Sequence, residues 1–137
     1  MNTTHWLKKT VVIFAHALVG WGLCGAIIGV GRSVTSMENT LIIHAIGVPI
    51  IFSIIALIYF RYFGYTSPLQ TAAIFFSFAI LMDFFVIALF VEKSFTMFAS
   101  VLGTWIPFAL IFVSTYIVGQ WVVKTTPQAA PAADVQG

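Results

Sequence analysis

Residues 69–91 read LQTAAIFFSFAILMDFFVIALFV, an apolar run interrupted by one charged side chain, Asp83. A stretch of about 18 or more apolar residues is long enough to cross the hydrocarbon of a bilayer as a helix. A central Asp opposes insertion by roughly 2.5–3.5 kcal/mol, whereas each Leu, Ile, Phe or Val favours it by about 0.3–0.6 kcal/mol. Fourteen such residues lie in this run, so the span tolerates its acid.

Working outward from this run, three more of the same kind fill the chain. The predicted helices cover 10–31, 40–60, 69–91 and 96–123, with charged residues collected at their ends. The composition agrees: 61% hydrophobic and 7% charged, against about 45–50% and 25% in soluble domains. The connections 32–39, 61–68 and 92–95 are short, which makes consecutive helices adjacent and antiparallel. The expected fold is all-α, an antiparallel up-down bundle of four transmembrane helices.

Lys8, Lys9, Arg61 and Lys124 fall at one end of this bundle, and Arg32 and Lys93 at the other. The excess of basic residues puts both termini in the cytoplasm of a cell-membrane protein. Trp6, Tyr59, Tyr62, Tyr65 and Trp121 lie towards the same end, where amphipathic rings form an interfacial belt. Residues 1–9 read as a cytoplasmic N-terminus. The apolar run behind Lys8 and Lys9 is too long for a typical signal-peptide core, so it is expected to stay as a span. The tail 124–137, rich in Ala, Pro and Gln, has nothing to bury and is expected to be disordered.

The net charge of +2 comes from basic residues placed singly or in one pair at helix ends, which excludes a nucleic-acid surface. Cys24 is the single cysteine, so the chain has neither an internal disulfide nor a Cys-x-x-Cys pair. His16 and His44 belong to opposite ends of the bundle, roughly 15 Å or more apart, which rules out a haem held between them. A catalytic metal needs three convergent ligands, and hydrolase motifs are absent. No cofactor, no metal and no enzyme activity are therefore expected.

The first helix carries Gly22, Gly25 and Gly29 on one face, beside Ala15, Leu18 and Ala26. Small residues let transmembrane helices approach closely, so this face is expected to pack within the bundle, with a homodimer through the first helix as the alternative. His16, Gly20 and Cys24 form the opposite stripe, either a satisfied histidine with small neighbours or one wall of a cavity.

An ionisable residue at membrane depth marks a proton, ion or substrate path by default. Counting at 1.5 Å per residue puts Asp83, Cys24, His44, Pro49 and Pro107 within roughly 6 to 16 Å of the same end. Pro49 and Pro107 are expected to kink their helices and free the carbonyls of Ala45 and Gly103. His44 is the expected partner of Asp83, with Thr104 and Trp105 as further hydrogen-bonding candidates. Two functions follow as expectations. One is a proton-linked transporter of a small solute or ion using Asp83. The other is a noncatalytic scaffold or accessory subunit that binds other membrane proteins in the lipid bilayer.

Overall fold

The computed structural model describes residues 3–125, all helix and connecting turns with no strand among them. α1 runs Thr3–Val34, α2 Met37–Tyr62 and α3 Pro68–Met82. The third helix continues as a wide π-helical segment, Asp83–Val91, in which each turn holds one extra residue. A short 3-10 turn, Thr96–Ala99, and a π turn, Val101–Trp105, lead into α4, Ile106–Thr125. Thr3–Val34, Met37–Tyr62, Pro68–Val91 and Val101–Thr125 are each long and apolar enough to cross a membrane.

Polar residues start these helices where the sequence offers caps. Ser36 accepts the Asn39 N–H at the start of α2. Ser67 opens α3 with a capping box: its hydroxyl accepts from the Gln70 N–H while the Gln70 side chain accepts from the Ser67 N–H, and Pro68 fills the first turn. Ser100, in extended conformation, accepts from the Gly103 N–H.

That last cap corrects a boundary. The fourth helix does not run unbroken from Thr96, because Ser100 interrupts the chain and restarts it at Val101. α1 begins at Thr3 rather than residue 10, taking Lys8 and Lys9 into the helix. Hydropathy marks how far lipid reaches, whereas Lys and Trp are compatible with helix beyond that limit. Lys124 and Thr125 end α4, and the rest of the expected disordered tail lies outside the described residues.

α2 packs between α1 and α4, and α3 packs on α4. The seam between α1 and α3 is the smallest of these contacts. Val48, Phe52, Ala56 and Tyr59 on α2 are buried in the core, and the Phe52 and Tyr59 rings pack on Phe75 of α3. Tyr59, expected in an interfacial belt, is instead fully enclosed. Its hydroxyl hydrogen-bonds Thr66 at 2.9 Å, and Thr66 in turn bonds Thr71 at 2.6 Å. A buried phenol needs such a partner, and this chain of hydroxyls ties the end of α2 to the start of α3.

The expected packing face of α1 is also corrected. A Cβ at Gly22, Gly25 or Gly29 would have nothing within 4 Å outside its own helix, so that face meets no neighbouring helix closely. The close approaches fall on other glycines: a Cβ at Gly20 would lie 2.7 Å from the Phe52 ring, and one at Gly31 2.6 Å from Thr40. α2 therefore seats against the Gly20 and Cys24 stripe.

Candidate functional site

Asp83 stands at the junction where α3 gives way to the π segment, with its own N–H shared between the Ala79 and Ile80 carbonyls. Beyond it, residues 83–91 make no broad contact with α1, α2 or α4. The space left between them is a cavity of about 440 Å³. At its mouth Arg32 Nη1 donates to Glu92 Oε2 at 3.0 Å, bridging the end of α1 to the residue that follows the π segment. At its deep end lie Val48, Phe52, Phe108 and Ile111, and the Phe52 ring seated on Gly20 closes it.

Between mouth and floor the wall is polar on several sides. Asp83, His44, Cys24, Ser100 and Thr104 all line it. Trp21 Nε1 donates to Asp83 Oδ1 at 2.8 Å, and Asp83 has no ion-pair partner among the described residues. His44 is 8% exposed, and its Nδ1 is buried without a hydrogen-bond partner among the described residues. A buried polar atom left unpaired opposes folding by about 1–3 kcal/mol, so fold stability gives no reason for a histidine there.

The candidates named from the sequence divide between this cavity and other places. Asp83, His44, Cys24, Thr104 and Pro107 line it, and so do Gly25 and Gly29 on their open side. The expected partnership of Asp83 with His44 is replaced by the bond from Trp21. The indole reaches the carboxylate from α1 directly, while His44 Nδ1 has no hydrogen-bond partner among the described residues. Trp105 points away: its Nε1 donates to the Phe98 carbonyl at 2.7 Å, and the residue is 46% exposed.

His16 is not part of a cavity wall with Cys24. Its Nδ1 pairs with the Val12 carbonyl at 2.8 Å, and its ring packs edge-on against Tyr59 and Phe63, at the opposite end of α1. Gly22 lies outside the cavity. Pro49 sits inside an uninterrupted α2. Pro107 is the second residue of α4, immediately after the π turn, where the Ile106 N–H reaches back to the Val101 carbonyl.

Sequence reasoning missed Trp21 and the mouth pair. Trp21 carried a signal of its own, because an indole N–H within an apolar run is a donor that needs an acceptor at its depth. Arg32 and Glu92 each come immediately after a predicted span, and their pairing follows once those ends are adjacent. Among the described residues, no three His, Cys, Asp or Glu side chains gather to hold a metal ion.

Comparison of the chain with protein-family models, curated proteins and solved structures finds no match. Function is read from the chemistry of the site itself.

Proposed function

We propose that this chain is a multi-pass protein of the cell membrane whose four helices cross up and down with both ends cytoplasmic, and that it carries a small solute or ion coupled to protons at Asp83. Four sufficiently long apolar helices and the excess of Lys8, Lys9, Arg61 and Lys124 over Arg32 and Lys93 support the insertion and its direction.

The observation that carries the transport reading is a carboxyl inside a cavity, held by one indole donor and lacking a counter-ion among the described residues. A site of this kind exchanges a proton for another cation, since either one neutralises the same oxygen atoms. The cavity narrows to an apolar floor, so exchange across the bilayer also requires the packing of Phe52 and Ile111 to open. The role is binding and translocation, with no bond-making step.

Reconstitution into liposomes loaded with a pH-sensitive dye tests it. Solute-driven proton movement is expected with the unmodified protein and should vanish with Asp83→Asn, while the variant keeps its helical content. Equal flux from both proteins would end the reading.

One observation favours a second reading, a scaffold or homodimer. Gly22, which lies outside the cavity, has nothing within 4 Å of an added Cβ, leaving that part of α1 open to a second copy or another membrane protein. In that case Asp83→Asn leaves function untouched, and bulky substitutions at Gly22 remove it.

A further inference from the structure

The charges around the cavity do not balance evenly. Arg32 is occupied by Glu92 at 3.0 Å, so the mouth is close to neutral. Asp83 is deeper and has a neutral donor, Trp21, as its hydrogen-bonding partner. His44 lines the same space with no ion pair to that carboxylate among the described residues. Among the described residues that line the cavity, the one unbalanced charge is therefore negative.

The shape of the cavity adds a second requirement. Its volume of about 440 Å³ falls in the range of small-molecule sites, roughly 300–1,000 Å³. Below Asp83 the walls are Val48, Phe52, Phe108 and Ile111, which give a ligand body apolar contact but no polar partner. Trp21 and the two phenylalanines also present aromatic rings, which attract cations through their π faces. A metal ion that needs several ionised or imidazole ligands is poorly served here, because no three His, Cys, Asp or Glu side chains gather among the described residues.

We propose that the solute is a small organic cation, an ammonium on an apolar body, with the charge on Asp83 and the body against the Phe52 and Phe108 floor. This rests on the reading of Asp83 as the solute site and names the substrate class for it. An anion would meet Asp83 before any free cationic group. A neutral molecule fits the floor but does not compete with a proton for the carboxyl oxygens, so it has no exchange to make at Asp83.

The test is a matched series that differs in charge and little in shape: phenethylamine, 2-phenylethanol and 3-phenylpropanoate, each titrated calorimetrically into the full chain in lipid nanodiscs. The amine is expected to bind about tenfold or more tighter than the alcohol, and the carboxylate not at all. Asp83→Asn should weaken the amine by about 30-fold, while Asp83→Glu keeps it within about tenfold of the unmodified protein. The ligand series on the unmodified protein needs no variant, so a misfolded Asp83→Asn does not remove the test.

Alcohol or carboxylate binding as tightly as the amine would overturn the proposal. So would amine binding that Asp83→Asn, shown to be folded, leaves unchanged. The transport reading fails separately. Amine binding without proton-coupled uptake in liposomes would remove transport and leave the site. Asp83-dependent proton flux in a protein that binds no amine would leave transport and remove this substrate class.

Discussion

Trp21 and Asp83, 62 residues apart in the chain, meet at 2.8 Å through an indole N–H and a carboxylate oxygen. The bond joins α1 to the end of α3 across the smallest of the seams between the packed long helices, where few other contacts hold the two together. Hydrogen bonds between membrane helices average about 0.6 kcal/mol, and those to charged groups in proteins reach about 1.5–3 kcal/mol. Trp21→Phe keeps an aromatic ring and removes the donor, so it should lower stability by about 1 kcal/mol. Denaturant unfolding in detergent micelles measures this. In an Asp83→Leu background the same substitution should have a much smaller effect; an unchanged effect would show that the bond contributes nothing.

The glycines of α1 make a sharper comparison. A Cβ at Gly20 would lie 2.7 Å from the Phe52 ring, which is itself 1% exposed and packed on Phe75 with ring centroids 5.8 Å apart. To make room the ring must turn towards the cavity it lines and loosen its packing on Phe75, so Gly20→Ala should destabilise by about 1–3 kcal/mol, the usual effect of overpacking. Gly22→Ala meets nothing within 4 Å and should be neutral or slightly stabilising. Parallel unfolding curves for the two variants decide the matter. Equal losses would mean that the open face is covered in the folded protein.

Much of this architecture was legible in the sequence, for a physical reason. Length and apolarity report lipid-compatible segments directly, and four such runs with short links leave few arrangements. Counting residues from one end brought Asp83, Cys24 and His44 towards a common depth, and all three line the cavity. What was not legible depends on rotation about the helix axes. The 100° periodicity says that Gly22, Gly25 and Gly29 share a face, and equally that Gly20 and Cys24 share the other, but not which one meets α2. The π segment at Asp83–Val91 lacks a sequence signal, because a one-residue change in hydrogen-bond register leaves the composition untouched. The enclosed position of Tyr59 depended on the hydroxyls of Thr66 and Thr71, which fall in the predicted loop 61–68 and span 69–91 with nothing in the sequence to pair them.

The Arg32–Glu92 pair at the mouth should matter more to rate than to stability. Its side chains are 46% and 36% exposed, and solvent screening leaves such a pair worth about 0–1 kcal/mol. Glu92→Gln should therefore barely move the unfolding midpoint. It frees the Arg32 cation at the entrance, however, and should slow the arrival of a cationic ligand, with a deficit that shrinks as salt is added. Arg32→Gln should do the reverse. Stopped-flow tryptophan fluorescence with phenethylamine reads both, and identical association rates across the three proteins would remove the pair from the entry route.

Cys24 offers a direct test of the cavity. It is 6% exposed and lines the space beside Asp83, while Ile13 on the same helix is 4% exposed and lies in packed core away from it. By burial alone the two positions should be equally protected. If the cavity admits small solutes, a cationic methanethiosulfonate reagent should modify Cys24 in the folded protein. In an Ile13→Cys, Cys24→Ala variant the relocated thiol should stay untouched. Intact-protein mass spectrometry counts the added group, and excess phenethylamine should slow the reaction at Cys24 by filling the same space. Equal protection of both thiols would count against entry of solutes of this size. Equal reactivity would mean that the helix opens as a whole, and the accessibility of Cys24 would then say nothing about a site.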